Sequence, residues 1–319
     1  MKKAIHVAVG VAISAVCLWF TFRGFDFAAL REQTTHFRLI WVLPMMIVYA
    51  GAFVMRSFRW KWILSSIRPM PFGTVAPALV FGFLMNSILP ARGGEVARSF
   101  AISRKGGIPV GSALGSVVAE RTLDIFGLVA IMLIAARLLP WEKLPVLKIG
   151  ASLAVLVTAM LVASYAIPRL PMGRSPWALK LKDFLLKLGA GFSVIRQPSK
   201  MVGLIAVSLF IWMLDALTVM ILSHATGLVL TFPQSAALNV GISVGVMIPA
   251  APGYVGTYEF FGKQILTMLG FPAAAALTLV VFLHFFQMAM IVVVMGIPSI
   301  LRLGVLPDVA PDALAEIKP

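Results

Sequence analysis

Two apolar stretches of this sequence are each interrupted by proline and glycine and then continue past a glutamate. The first, Val75 to Leu89, stops at Pro90, and Glu95 follows. The second is interrupted between Pro249 and Gly256, and Glu259 follows. Backbone N–H and C=O groups exposed to lipid cost several kcal/mol each, so a break at membrane depth is tolerated only where it lines a cavity or is buried in protein. The pattern therefore predicts two broken helical elements around a polar interior.

The composition supports a membrane setting for these breaks. The chain has 319 residues, of which 60% are hydrophobic and only 12% charged, with a mean hydropathy of +0.98. Soluble domains are about a quarter charged. The apolar runs are continuous, and they approach or reach the roughly 20 residues that a helix needs to cross a bilayer. Outer-membrane barrels show alternation instead. We therefore expect a polytopic helical membrane protein.

The charge is strongly basic, and its distribution predicts the orientation. The net charge of +15 lies in loops between apolar runs, where the positive-inside rule and anionic headgroups account for it without nucleic acid. The stretch Pro168 to Lys200 carries seven Lys or Arg residues against one acid. We expect the cell inner membrane, with both termini in the cytoplasm.

Applied along the chain, the same rule predicts an all-α fold with six full spans and two re-entrant helical hairpins. The hairpins, Val75 to Phe100 and Ser235 to Leu269, enter from opposite sides, which is typical of inverted-repeat transporters. Pairs of short, tilted spans are the alternative. Residues 1–306 would form a single transmembrane domain and residues 307–319 a disordered tail. The predicted spans are Ile5 to Phe22, Ile40 to Met55, Pro109 to Ala136, Leu147 to Ile167, Met201 to Ser223 and Pro272 to Pro298.

The residues at the breaks suit an anionic ligand. Helix restarts present free N–H groups and a positive dipole end, and glycine lets a ligand approach the backbone closely. The planar fork of arginine can donate two hydrogen bonds to one phosphate. A structural salt bridge that fixes the first hairpin is the alternative. The candidate binding residues here are Arg92, Gly93, Gly94, Glu95 and Arg98 in the first break, and Pro252, Gly253, Gly256 and Glu259 in the second.

Charged residues also lie within apolar spans. Glu120, Arg121 and Asp124 fall within five residues, with Arg121 and Asp124 at helical pairing distance. A charge near the bilayer centre costs on the order of 3 kcal/mol, so such residues face the bundle interior. They line either a polar cavity or a structural ion-pair cluster. Asp215 is alone in its span and requires an arginine from another helix, or it carries a proton.

The remaining polar residues give weaker signals. Arg56 and Arg59 are expected to extend their head groups to the inner interface. Glu259 is expected to pair with Lys263, four residues on. His284 is expected to be a hydrogen-bonded core histidine.

No catalytic, metal-binding or ATP-binding motif stands out in the sequence. The chain has one cysteine, Cys17, no phosphate-binding loop and no cluster with metal-ligand spacing. We therefore expect no cofactor and no enzymatic activity. An intramembrane enzyme with a carboxylate base, or a scaffold for a lipid-synthesis complex, are the alternatives to a transporter.

Several of these motifs together resemble one known family. These motifs resemble those of the lysylphosphatidylglycerol synthase transmembrane-region family, and the resemblance covers roughly residues 5–302. The resemblance implies a flippase role, moving a phosphate-bearing lipid between leaflets, with lipid-biosynthesis enzymes or a second copy of the chain as further partners. Full-length synthases add a soluble aminoacyl-transfer domain that this sequence lacks, so we do not carry over aminoacyl transfer. The motifs are Arg56-Ser-Phe-Arg59-Trp60, Asn86 to Arg98, Glu120-Arg121-Thr-Leu-Asp124 and Pro249 to Glu259.

On this interpretation, the lipid phosphate lies between the two hairpins, near Arg92, Arg98 and Arg121. The carboxylates Glu95, Asp124, Asp215 and Glu259 hold these arginines between substrate visits, or exchange protons. The identity of the lipid, the direction of transport and the energy source stay open at this stage.

Overall fold

A computed structural model describes residues 2–23, 35, 37–89, 93–138, 155, 183–189, 194, 197–248 and 250–304. Arg92, the predicted tail 307–319 and nearly all of the predicted span Leu147 to Ile167 lie outside these residues. The described chain is helical and contains no strand. Three of its helical stretches are apolar and long enough to cross a membrane: Leu39–Leu64, Ser199–Ala225 and Ala273–Leu303. The predicted helical membrane class is confirmed.

The helices follow the apolar runs, and four of them are closed by a glycine. Gly107, Gly227, Gly270 and Gly304 each follow a helix with a positive φ, the left-handed conformation that commonly closes a helix. In chain order the helices are α1 (Lys2–Phe22), α2 (Val42–Leu64), α3 (Phe72–Ile88), α4 (Gly93–Gly106), α5 (Val110–Leu138), α6 (Pro198–Ala225), α7 (Phe232–Gly245), α8 (Thr257–Met268), α9 (Ala273–Ala289) and α10 (Ile297–Leu303), with a π-helical segment, Met290–Gly296, joining α9 to α10.

The second helix is longer than the sequence predicts. The predicted span ends at Met55, whereas α2 continues to Leu64 and carries Arg56, Arg59 and Lys61 in its last turns. The predicted end of this span at Met55 was wrong. The helix continues because two of the arginines find partners on other helices, as described below.

Helices α3 and α4 form the first hairpin, and small residues allow their backbones to meet. A Cβ added to Gly94 of α4 would lie 1.9 Å from the carbonyl oxygen of Gly82 of α3. The Gly94 N–H donates to Oδ1 of Asn86 at 2.9 Å. At the other end, Gly106 lies against Met70, just before α3 begins. The two helices therefore run antiparallel and return to the side from which they started.

Helices α7 and α8 form the second hairpin in the same way. Gly245 near the end of α7 lies against Phe261 of α8, and Gly241 lies against Ile265. The break between them contains a short 3₁₀ turn, Pro252–Tyr254, in which Gly253 has a φ of 69°. Gly256 follows with a φ of 93° just before α8 begins. Both positions use the left-handed backbone that glycine adopts without strain.

The hairpins open toward opposite ends of the bundle. One end, which we call the basic face, contains the loops around Arg68, Lys200 and Arg302. Arg68 donates to Gly106, Lys200 to Ser66, and Arg302 lies against Gly73. The other end brings the backbone of Arg38 against Ala225, and packs Phe37, Trp41, Leu228, Leu269 and Phe271 in one hydrophobic cluster. The first hairpin begins and ends at the basic face, and the second at the opposite face.

The tips of the two hairpins lie next to each other. A Cβ on Gly253 would lie 3.8 Å from the carbonyl oxygen of Ser87, at the end of α3. Ser87 also points its hydroxyl at the sulfur of Met288 on α9. The two breaks predicted from sequence are thus neighbours in space.

Helix α1 is fastened to the second break. Ser14 accepts a hydrogen bond from the backbone N–H of Ala251 at 2.8 Å, and Gly256 lies against the Ser14 carbonyl. About two turns further along, Lys263 donates to the carbonyl oxygen of Thr21 at 2.6 Å. These contacts orient α1 with its C-terminal end toward the face at which the second hairpin begins.

Candidate functional site

Three charged side chains form the sealed centre of a cluster between α2, α4 and α5. Glu120 of α5 accepts from Arg98 Nη1 at 2.8 Å and from Arg59 Nη2 at 3.2 Å. The side chains of Arg59 and Glu120 are 0% exposed, and that of Arg98 is 2% exposed. Arg59 also donates to Ser208 of α6 at 2.9 Å. One carboxylate therefore bonds two arginines from different helices.

Trp60 covers one side of this centre. The Arg98 guanidinium lies over the ring of Trp60, 4.9 Å from its centroid, a geometry in which the ring face attracts the cation. The Trp60 indole donates in turn to Ser116 of α5 at 3.0 Å. Gly82 gives Arg98 the room to reach inward, since a Cβ there would lie 2.7 Å from the Arg98 side chain.

A second layer of charges is partly open to the surroundings. Arg121 lies 3.2 Å from Glu95 and 3.1 Å from Asp124, and the three side chains are 28%, 24% and 20% exposed. Asp124 also reaches inward to Arg59 Nη2 at 2.6 Å. Arg121 is therefore the most accessible cation in the cluster, and Asp124 connects it to the sealed centre.

Arg56 and Asp215 extend the cluster toward α6. Arg56 Nη2 lies 2.5 Å from Asp215 Oδ2, and the two side chains are largely buried. The expectation that Asp215 pairs with an arginine from another helix is thereby confirmed. Arg56 also interacts electrostatically with Asp124, so the pair belongs to the same network.

The formal charges of the cluster sum to zero, but some of its hydrogen-bond donors have no acceptor. Among the described residues, the cluster contains four arginines and four carboxylates. Each arginine keeps one buried N–H without a hydrogen-bond acceptor: Nη1 of Arg56, Nε of Arg59, Nη2 of Arg98 and Nε of Arg121. The last of these lies within ion-pair distance of Glu95 but at an angle outside that of a hydrogen bond. Buried donors normally have acceptors, so the cluster has spare capacity for an anion.

A separate polar site lies at the second break. Glu259 Oε2 accepts from the backbone N–H of Gly256 at 2.7 Å, which caps the start of α8. Its other oxygen lies 2.5 Å from Nδ1 of His284 on α9. The opposite ring nitrogen of His284 lies 2.8 Å from the carbonyl oxygen of Gly253. The ring of Tyr258 stacks on the imidazole, with 4.1 Å between centroids.

Longer-range electrostatic interactions relate this break to the charged cluster. Tyr254, whose φ of 61° is unusual for a residue with a side chain, interacts electrostatically with Arg121. Tyr258 interacts electrostatically with Asp215 and with Tyr49 of α2. The charged cluster and the second break therefore form two parts of one polar interior.

The structure separates the sequence-predicted site residues into these two groups. Pro252 and Gly253 form the turn of the second break, and Gly93 and Gly94 begin α4. Arg92 lies outside the described residues. The first group comprises Glu95, Arg98, Glu120, Arg121, Asp124 and Asp215, and the second comprises Pro252, Gly253, Gly256 and Glu259.

Sequence reasoning missed three contributors. Arg56 and Arg59 were expected to extend to the inner interface, and this was wrong, because both are directed into the bundle against acids of α5 and α6. Their spacing of three on an otherwise apolar helix, facing lone acids elsewhere, was the available signal. His284 was expected as a hydrogen-bonded core histidine, which is confirmed, but its partner Glu259 was assigned to Lys263 instead.

The described residues contain no group of three or more His, Cys, Asp or Glu side chains that could hold a metal ion. The groups described above are guanidinium groups, carboxylates, one imidazole and backbone N–H groups. Guanidinium groups with unused donors bind phosphate or carboxylate well. The neighbouring carboxylates can hold the arginines in place when no other anion is bound.

Comparison with known proteins gives a consistent family. The family described as "Lysylphosphatidylglycerol synthase TM region" matches residues 7–294. A UPF0104 membrane protein of Methanocaldococcus jannaschii is 24% identical over 181 residues, covering 55% of this chain and 76% of that protein. Another, of Methanothermobacter thermautotrophicus, is 24% identical over 285 residues, covering 81% and 83%. The glycosyltransferase AglD of Haloferax volcanii is 25% identical over 327 aligned positions, covering 87% of this chain but 51% of that protein.

Proposed function

Because the chain belongs to the lysylphosphatidylglycerol synthase TM region family, we propose that it moves a phosphate-bearing lipid, or a lipid-linked precursor, between the leaflets of the cell inner membrane. The multi-pass helical architecture and the polar interior support this proposal. The basic face would lie in the cytoplasm, together with both termini, because basic loops are retained on that side.

The observation that carries the proposal is the set of buried arginine N–H groups without acceptors. Arg121 and Arg56, which are partly exposed, each supply one, whereas those of Arg59 and Arg98 lie in the sealed centre. A phosphate carries several acceptor oxygens and a negative charge, and it matches the fork of a guanidinium. Arg121 is the point of entry, because it is the most exposed of the four. A phosphate arriving there competes with Glu95 and Asp124 for the same donors.

The two hairpins would form the path of the lipid between the leaflets. We propose that both are re-entrant, that six further helices span the bilayer, and that the two halves form an inverted repeat. Broken helices that meet near the bilayer midplane are how many transporters place a substrate site there. The contact between Ser87 and Gly253, at the hairpin tips, supports this arrangement. Rocking one hairpin against the other would open the cluster alternately to the two leaflets.

Arg121→Ala is expected to weaken lipid binding about tenfold or more. Hydrogen bonds to charged groups contribute about 1.5–3 kcal/mol, and every 1.4 kcal/mol is about tenfold in affinity. Native mass spectrometry of the purified protein measures which lipid is retained. Lys187→Ala is the matched control, because Lys187 forms an exposed pair with Asp183 at the surface. Equal retention by Arg121→Ala and the control would exclude the cluster as the binding site.

A transferase is the second candidate, because one relative is named a glycosyltransferase. The match covers about half of that protein, so its name does not by itself transfer to this chain. Incubating purified protein with a lipid acceptor and a sugar donor tests the candidate directly. Headgroup modification that is lost on neutralising Asp124 or Glu95 would favour it over transport.

A further inference from the structure

The hydrogen bonds of His284 determine where its protons lie. Its Nε2 is 2.8 Å from the carbonyl oxygen of Gly253. A backbone carbonyl only accepts hydrogen bonds, so Nε2 must carry a hydrogen. The remaining ring nitrogen, Nδ1, is 2.5 Å from Oε1 of Glu259.

That second contact requires a further proton. If His284 were neutral and Glu259 ionised, the lone pair of Nδ1 would face a carboxylate oxygen, and two acceptors at this distance repel. Two arrangements remove the repulsion: an imidazolium donates to a carboxylate, or a carboxylic acid donates to an imidazole. Both contain one proton more than the neutral histidine and the carboxylate do separately. The observed geometry is therefore that of a protonated pair.

We infer that Glu259 and His284 form a proton-binding site whose occupancy holds the second hairpin break in the observed conformation. The pair forms hydrogen bonds with backbone groups at two positions of the break. Glu259 holds the Gly256 N–H, and His284 holds the Gly253 carbonyl. When the proton leaves to water, a neutral imidazole and a carboxylate remain, and no other covalent bond changes. Their mutual repulsion then separates α9 from the start of α8.

Of the ionisable groups around the second break, the Glu259–His284 pair is the one to which we assign the proton. Asp215 is bound to Arg56, and Lys263 donates to the Thr21 carbonyl. The Tyr258 hydroxyl donates to Gln287 at 2.8 Å, while its ring covers the imidazole. Helices α3 and α7, which also pack near the break, contain no titratable side chain. Along the described elements packed against the pair, the titratable or charged residues are Lys2, Lys3, His6 and Cys17 of α1, Tyr49, Arg56, Arg59 and Lys61 of α2, Lys200, Asp215 and His224 of α6, Tyr254 of the break, and Tyr258 and Lys263 of α8.

The conformational change that follows proton release would be transmitted to the charged cluster through the second break. Gly253 lies against the tip of the first hairpin at Ser87, and the adjacent Tyr254 interacts electrostatically with Arg121. Loosening the turn changes both the packing of Gly253 against Ser87 and the electrostatic interaction of Tyr254 with Arg121. This part of the inference rests on the proposed transport function, and it makes a proton gradient the energy source.

The variant Glu259→Gln distinguishes the closed geometry of the pair from its protonation. The amide oxygen of glutamine can still accept from Gly256, and its N–H can donate to the lone pair of Nδ1 without an added proton. The variant therefore reproduces the closed pair while removing the proton from it. We expect it to fold like the parent protein.

The site is tested by histidine ring ¹⁵N spectra of the purified protein in lipid nanodiscs across pH. The chain has only four histidines, and His284→Gln assigns the relevant signals. We expect His284 to keep its Nε2 hydrogen throughout and to show a titration that is lost in Glu259→Gln. The His224 signals, from the opposite end of the bundle, serve as the internal control. A neutral ring with hydrogen on Nδ1, or the same titration in Glu259→Gln, would overturn the proton site.

Coupling is tested in phosphatidylcholine liposomes that contain a fluorescent phosphatidylglycerol. We expect an imposed pH difference to change the rate of leaflet transfer by the parent protein, and this dependence to disappear in Glu259→Gln. A variant that keeps the dependence contradicts the coupling. If the parent protein does not move the fluorescent phosphatidylglycerol while the ring titration is observed, the proton site stands and transport of this lipid is excluded.

Discussion

Replacing Glu120 with alanine is expected to lower the free energy of unfolding by about 3–5 kcal/mol, the effect of removing one partner from a buried ion pair. Glu120 is fully buried and bonds both Arg98 and Arg59. Arg59 would retain Asp124, but Arg98 would lose the carboxylate to which it donates. Thermal unfolding in detergent micelles or nanodiscs, followed by circular dichroism, measures the change.

Glu95→Ala is the matched control for this prediction. Glu95 also contacts an arginine, Arg121, but both side chains are partly exposed, and Arg121 retains Asp124. Pairs with this much exposure contribute about 1 kcal/mol or less. If the two alanine variants unfold alike, burial does not make Glu120 the central counter-ion of the cluster.

The contrast also bears on the two interpretations that the sequence left open for the charges of α5. A structural ion-pair cluster predicts loss of stability from every member, whereas a binding site predicts loss of lipid with little loss of stability. The structure divides the roles by depth. Glu120, Arg98 and Arg59 are sealed and suit the structural role, while Arg121, Glu95 and Asp124 are accessible and suit the binding role.

Local patterns were enough to predict the helical class, both breaks and the charges of α5. Each of these depends on residues close in sequence: apolar runs, proline and glycine, and charges three or four apart. The need of Asp215 for a distant arginine was also predictable, because a lone charge in an apolar span requires a partner.

The arginines of α2 show why the rest was not predictable. Arg59 bonds Ser208, 149 residues away, and Glu120, 61 residues away. Nothing local distinguishes an arginine that extends to the interface from one that turns into the bundle, since the choice depends on which helix packs beside it. The end of α2 was misplaced for the same reason. Glu259 likewise had a local candidate in Lys263, while its partner His284 lies 25 residues away.

Gly94→Ala is expected to prevent the first hairpin from closing. The added Cβ would lie 1.9 Å from the Gly82 carbonyl oxygen and 2.5 Å from the Asn86 nitrogen. Both are backbone atoms of α3, so no side-chain rotation relieves the clash, and the two helices must separate. Overpacking typically costs about 1–3 kcal/mol and occasionally more, and we expect about 3 kcal/mol here, measured by thermal unfolding.

The same substitution should also reduce lipid retention, because Glu95 of the accessible layer is on the helix that must move, as is Arg98. Arg98 fits against Gly82 and reaches Glu120 only while α4 stays close to α3. Gly51→Ala is the matched control: it lies within α2, and an added Cβ there has nothing within 4 Å. Alanine in a helix interior is favoured over glycine by about 1 kcal/mol, so this variant should be as stable as the parent protein or slightly more so, with lipid retention unchanged. If Gly94→Ala behaves like Gly51→Ala, then α3 and α4 do not need close backbone contact, and the position of Arg98 does not depend on the hairpin.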